Sequence, residues 1–194
     1  MKKGSDFRKP EYPINPLFLD RWSPRAMSGE SLKDEELMSL FEAAKWAPSS
    51  SNIQPWRFIY AKRNSKNWDK FFNLLVEFNQ LWCKNASALI CLIAKKTDDN
   101  NSPNRNALSD AGAAWMSLAL QASLKNLVAH GMAGFDVEKT RKELKIPDDY
   151  EIVHMIAVGK PAPPSVLPER MQKSESPNSR KNISEIVFDG EFTT

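Results

Sequence analysis

Two arginines and a hydroxyl occupy alternate positions in Arg21-Trp22-Ser23-Pro24-Arg25, the stretch of this chain best equipped for anion chemistry. Pro24 disfavours the helical region for the residue before it, so the segment should be extended. Alternate side chains of an extended chain share a face. Arg21, Ser23 and Arg25 then point one way and Trp22 the other, setting two permanent charges and a hydroxyl where a phosphate or an electron-rich ring edge fits. A solvated arginine pair beside a helix start is the plainer reading of the same residues. A second cluster, Pro48-Ser49-Ser50-Ser51-Asn52-Ile53-Gln54-Pro55-Trp56, offers short donors, short acceptors and accessible backbone N–H groups. An ordinary helix-to-strand turn is built from the same residue types. In the third cluster, His130-Gly131-Met132-Ala133-Gly134-Phe135-Asp136, two glycines flank Met132 and Ala133, so backbone can approach a flat ligand with no Cβ in the way. His130 is either a proton donor or, as lone histidines more often are, a hydrogen-bonded structural residue. His154 lies in an apolar run and reads as structural.

The rest of the composition narrows the chemistry. Only Cys83, Cys91, His130 and His154 supply soft or imidazole ligands, too few for a zinc centre or a disulfide framework. No metal is expected. The cysteines lie in apolar surroundings with no basic neighbour arranged to form a thiolate and read as packing residues of a reduced, cytoplasmic protein. Twenty-seven Lys and Arg against 24 Asp and Glu leave +3, well short of the basic excess that points to nucleic acid or an anionic membrane. Any anion site must therefore be local. The first sixteen residues are polar and proline-interrupted, unlike a signal peptide, and no run reaches membrane-spanning length. The seven glycines form neither G-x-G-x-x-G nor G-x-x-x-x-G-K, and G-x-S-x-G and H-E-x-x-H are absent. An enzyme with this inventory would leave the hard chemistry to a cofactor.

The elements that must position these clusters follow from periodicity. A chain of 194 residues, 41% hydrophobic and 26% charged, predicts one globular domain over 1–194, with a loose arm at 1–16 and a connecting arm at 160–194. A helix is expected from Ser31, with Asp34, Glu35 and Glu36 complementing its positive end and Leu37, Leu40, Phe41 and Ala44 on one face. Pro48 stops it, and a strand follows from Trp56 to Lys62. A helix over about Lys66–Phe78 precedes Ala88–Ala94, whose unbroken apolar run predicts a strand buried on both faces. Ala107–Leu127 reads as the longest helix. Its interior Gly112 is tolerable where plain core packing, a cofactor layer or another helix comes close. Asp136 caps a short helix to Leu144, and Tyr150–Val158 is a strand ending at Gly159. A last strand-like segment, Ile183–Phe188, either folds back or pairs with a neighbouring subunit's sheet edge. Strands and helices alternate around a single sheet.

In chain order the clusters resemble the FMN-dependent nitroreductase family over about residues 17–190. The likeness rests on Arg21-x-Ser23-x-Arg25, Trp46-Ala47-Pro48-Ser49-Ser50, Asn52-x-Gln54-Pro55-Trp56, Asp110-x-Gly112, Gly134-Phe135-Asp136, Ile146-Pro147-Asp148-Asp149-Tyr150 and Ala157-Val158-Gly159. The resemblance implies an α+β fold, a mixed sheet covered by helices, in an intertwined homodimer with FMN at the subunit interface. It further implies a phosphate contact from Arg21, ribityl and pyrimidine contacts from Ser23 and Arg25 beside Trp22, and Pro48, Ser49, Ser50 and Asn52 reaching in from the partner. Asn79 would bond the pyrimidine ring, Ala133 and Gly134 would lie beside N5 and O4, and Arg180 would reach the phosphate. No side chain is obligatory as a catalytic acid; the backbone of Ala133 and the side chain of Arg25 play supporting parts. NADH or NADPH would donate hydride, and a nitroaromatic, quinone or similar electrophile would take it by ping-pong kinetics. An activated alkene or small aldehyde as acceptor, or flavin storage without turnover, are the rival readings. Trp22 stands where the family commonly has a basic or polar residue and Asn178 where some members carry a second cationic phosphate ligand, and the short segment between Ala94 and Ala107 implies a more open acceptor site.

Overall fold

The computed structural model describes residues 2–193; Met1 and Thr194, the two ends of the expected domain, lie outside the described residues. Four strands form the sheet: β1 (Trp56–Lys62), β2 (Ala88–Lys95), β3 (Val128–Met132) and β4 (Tyr150–Gly159), in the order β1-β2-β4-β3. The helices are α1 (Pro16–Asp20), α2 (Asp34–Lys45), α3 (Trp68–Phe72), α4 (Glu77–Cys83), α5 (Ala107–Leu124), α6 (Val137–Glu143) and α7 (Glu169–Gln172). The fold is α+β as expected. The sheet, expected as mixed, is antiparallel in every pairing among the described residues.

The alternation along β2 divides the core in two. Leu89, Cys91 and Ile93 face a cluster containing Phe71, Leu75, Trp82 and Met155, while Ala88, Ile90, Leu92 and Ala94 face one containing Leu37, Leu40, Ala114 and Leu118. Successive side chains of a strand point to opposite faces, so a strand covered on both sides must be apolar throughout. Two layers of helix thus sandwich the sheet.

Several elements depart from the sequence reading. The helix expected from Ser31 begins at Asp34, where the Glu36 carboxylate accepts from the Lys33 backbone N–H at 2.8 Å. The helix expected over Lys66–Phe78 is two, α3 and α4, because the intervening backbone turns aside: Val76 N donates to Gly134 O and Leu75 bridges Phe135. Strand β3 had no strong sequence signal, and α1 lies where Asn15 caps a proline-started turn, its side chain accepting from Leu17 N. The terminal strand expected at Ile183–Phe188 is instead a short 3₁₀ turn over Ile183–Glu185, with Ile186 and Val187 exposed. No helix among the described residues is long and apolar enough to cross a membrane.

Candidate functional site

The extended Arg21–Arg25 segment follows α1 and runs against the start of the C-terminal arm. Glu175, buried, accepts from the backbone N–H groups of Arg25 at 2.6 Å and Ala26 at 2.8 Å through Oε1, which clips the two segments together. Between them lies a cavity of about 470 Å³ lined by Arg8, Arg21, Trp22, Ser23, Arg25, His130, Ser174, Ser176, Asn178 and Arg180. Four of these residues carry guanidinium groups and none carries a carboxylate. Among the described residues the ion pairs involve only exposed lysines elsewhere.

Charge of one sign gathered in a partly buried space is costly. Burial, then the neighbouring Arg180 charge, pulls the pKa of both Arg8 and Arg21 below the ordinary guanidinium value, and Arg21 adds to the effect on Arg8. The Arg21 Nε is buried with no hydrogen-bond partner, and its Nη1 makes only a 3.4 Å contact with Ser23 Oγ. Unspent donors and uncompensated positive charge describe a site for a dianion, and a phosphate monoester meets both needs.

Arg25 lines the same cavity. It perturbs His130 on β3, whose Nδ1 lies 3.0 Å from Pro24 O. A carbonyl can only accept, so Nδ1 carries the proton of a neutral imidazole. Burial lowers the His130 pKa to about 4, and the ring rests 4.7 Å from that of Trp82. His130 is a structural neighbour of the cavity, uncharged near neutrality.

A shallower cavity of about 370 Å³ shares Arg21 and Ser23 with the first and continues along Gly131, Met132 and Ala133, walled by Trp115, Val153 and His154. Val153 and His154 are sequence neighbours, and a regular strand would send them to opposite faces. The bulge between the Leu92–His154 and Ile93–Ile152 pairings lets both line the groove. Gly131 lets the same wall pack close: a Cβ there would meet Trp115 at 3.1 Å and His154 at 3.4 Å. Burial lowers His154 to about pKa 4 as well, and its Nε2 has no partner. Sequence reasoning passed over Trp115, His154 and Arg8. His154 sits in an apolar strand whose bulge has no sequence signature, Arg8 lies in a polar arm with no spacing pattern that ties it to the Arg21–Arg25 cluster, and Trp115 looks like any core aromatic.

The remaining expected site residues divide. Arg21, Trp22, Ser23, Arg25 and Arg180 meet in the deeper cavity and Ala133 lines the shallower one. Trp22 is buried, its Nε1 donating to Lys2 O at 2.9 Å. Asn79 is buried and committed: Nδ2 donates to Gly134 O at 2.9 Å and Oδ1 accepts from Trp82 Nε1 at 3.2 Å, so it braces the turn after Ala133. A Cβ on Gly134 would stand 2.6 Å from Asn79 Nδ2, which leaves room for glycine alone. Pro48, Ser49, Ser50 and Asn52 line neither cavity. Their loop is held in a strained form, with Ser51, Asn52 and Gln54 at φ 49°, 56° and 52°. Ser50 N donates to Asp110 Oδ2 and Gln54 N to Ser49 Oγ. Left-handed backbone costs roughly 1–2 kcal/mol per ordinary L residue, so the loop keeps this shape because its surroundings impose it.

The sequence pattern described as the Nitroreductase family matches residues 19–81 and 65–160. A solved structure described as an oxidoreductase containing FMN superposes with a TM-score of 0.93 at 42% identity, covering 100% of this chain and 98% of that one. A Streptomyces coelicolor protein named for NADH dehydrogenase or NAD(P)H nitroreductase activity is 26% identical over 181 residues, 81% of this chain and 87% of its own length. Protein DrgA from Synechocystis sp. is 30% identical over 156 residues, 66% of this chain and 74% of its own. The pattern match spans both the arginine segment and the strands that build the groove, and on it the chain belongs to the nitroreductase family.

Proposed function

We propose that this chain is an FMN-dependent NAD(P)H oxidoreductase that reduces a nitroaromatic, quinone or similar electrophile, working as a homodimer of single-domain subunits in the cytoplasm. The observation that carries the reading is the acid-free arginine cavity opening into a groove floored by backbone. Its donors suit a phosphate monoester and its floor suits a flat ring. When bound, FMN would take a hydride from NAD(P)H and hand two electrons to the acceptor, donor and acceptor using the same face in turn.

The chain's own residues prepare that exchange. Arg21 and Arg180 would hold the phosphate, with Ser23 beside the ribityl chain. Arg25, whose charge acts on His130, would face the pyrimidine edge, where reduction accumulates negative charge. A fixed guanidinium stabilises that charge without titrating. The N–H of Ala133 would orient the N5 edge, and Asn79 holds the adjoining Gly134 carbonyl in place. Trp115 and His154 close the groove on the β4 side, and neither histidine is charged near neutral pH. Proton delivery therefore falls to water or the acceptor's own groups.

The homodimer rests on what α5 leaves uncovered. A Cβ at Gly112 would meet nothing within 4 Å in its own chain, so internal packing does not require glycine there. Leu108 and Leu124 on the same helix are 53% and 66% exposed, and Trp46 beside the Pro48–Asn52 loop is 77% exposed. A second copy approaching along α5 would cover these side chains and bring its own Pro48, Ser49, Ser50 and Asn52 toward the groove. Exposed Ile186 and Val187 are then free to reach the partner's sheet edge.

Steady-state rates of the FMN-loaded protein over a panel of nitroaromatics, quinones, activated alkenes and aldehydes test the acceptor assignment. Nitroaromatics and quinones should lead. Turnover of alkenes or aldehydes alone would move the activity to the rival reductase, and no turnover of any would leave a flavin carrier.

A further inference from the structure

We propose that Arg8, from the N-terminal arm, is a further ligand of the cofactor phosphate and the residue that gathers both ends of the chain around it. The inference rests on the FMN reading above and extends it to a residue outside the matched family pattern, which begins at residue 19.

The Arg8 guanidinium sits where three segments meet. Its Nη1 donates to Leu19 O at 2.7 Å and to Arg21 O at 2.9 Å, and its Nε donates to Asn178 O at 2.8 Å. Its Nη2 has only a 3.4 Å contact with Asn178 Oδ1, an oxygen that already accepts from Arg180 Nη1 at 2.9 Å. One face of the group therefore fastens the N-terminal arm, the residues leading into Arg21 and the C-terminal arm to one another. Nη2 keeps donor capacity, and the residue lines a cavity together with Arg21 and Arg180.

Fastening alone does not explain the choice of residue. A neutral amide can bind carbonyls, whereas a third guanidinium set against Arg21 and Arg180 adds like-charge repulsion. No carboxylate lines the cavity to offset it. A dianion among the three removes the repulsion and uses the spare N–H, and the planar fork of arginine matches a phosphate edge. Asn178 gains a role in the same arrangement, since its carbonyl oxygen spaces Arg8 and Arg180 through a shared contact.

Riboflavin, which lacks the phosphate, separates a loss at the phosphate from a general loosening of the flavin site, and Arg8→Lys separates the guanidinium fork from its charge. Dissociation constants for FMN and riboflavin are measured by fluorescence titration on the full chain, on Arg8→Gln and on Arg8→Lys, with folding followed by circular dichroism. Arg8→Gln should weaken FMN about ten- to a hundredfold and leave riboflavin within about twofold. Arg8→Lys keeps the charge but loses the fork, and should give a smaller, severalfold loss confined to FMN. Equal weakening of both flavins, or an unchanged FMN preference in either folded variant, overturns the assignment. Should Arg8→Gln fail to fold, Arg8→Lys decides by the same criterion. A wild-type chain that binds FMN no better than riboflavin overturns the phosphate site itself, a result distinct from failure of Arg8 alone.

Discussion

At the scale of single residues, the proposed site works through fixed charge and not through titration. Arg25 lines the cavity together with His130, and our account sets its guanidinium toward the ring edge that gains charge on reduction. Arg25→Ala should lower the midpoint potential of bound FMN. A charge-assisted contact worth about 1.5 kcal/mol corresponds to about 30 mV for a two-electron couple, measured by dye-linked redox titration. An unchanged potential would remove Arg25 from the electrostatic role. The two histidines carry the opposite message. Both have folded pKa values near 4, below the ordinary 6.5 expected for the unfolded chain. Between those values the unfolded state binds more protons, so stability should fall as pH drops from about 6.5 toward 4. Urea denaturation at pH 7 and pH 5 should show a loss of about 1–2 kcal/mol per histidine, and His154→Gln should make the pH profile shallower. A profile as steep in the variant as in the wild type would mean that His154 is not held neutral. The cysteines contribute nothing in this range, since burial pushes Cys91 up to about 12 and Cys83 further.

At the scale of elements, the groove depends on contacts between segments distant in sequence. The Glu175 clip is the clearest, because removing it leaves the part-buried N–H of Arg25 and the buried N–H of Ala26 without an acceptor. Each such loss costs about 1–3 kcal/mol. Glu175→Ala should therefore lower the melting temperature by several degrees and loosen FMN, while a wild-type melting curve with intact FMN affinity would show that the arms need no clip. The same distinction between local and distant contacts explains what the sequence could tell. Strands β1, β2 and β4 were legible within a residue or so because their apolar runs and bounding prolines and glycines are local signals. The Asp136 cap was legible for the same reason, and its side chain accepts from Lys139 N at 2.9 Å. The break between α3 and α4 was not, because Phe71, Phe72, Leu75 and Phe78 keep helical spacing while the turn is set by Gly134, more than fifty residues away. Strand β3, with glycine and alanine in a short run, owes its form to pairing with β4. Arg21, Ser23 and Arg25 were legible from alternation around Pro24. Arg8, Trp115 and His154 join the groove only through tertiary placement, and the β4 bulge that presents His154 follows from register.

At the scale of the whole molecule, one chain supplies an arginine cavity and a groove floor, while the Pro48–Asn52 loop lines neither cavity. Our account makes the site whole by joining two copies along α5. Gly112→Leu should then block close approach and shift the protein from dimer to monomer in sedimentation equilibrium, with a parallel loss of FMN. The fold should survive, because a Cβ at this position meets nothing within 4 Å in its own chain. A dimeric, FMN-retaining variant would move the interface elsewhere. The central claim, a flavin enzyme assembled on these arginines, is tested most directly by anaerobic titration of the FMN-loaded wild-type protein with NADH and NADPH, followed by visible absorbance. The account predicts one FMN per chain, bleaching with one equivalent of at least one of the two nucleotides, and recovery of the oxidised spectrum on adding a quinone. A chain that takes up no FMN, or one whose bound FMN stays yellow with both nucleotides, would contradict it.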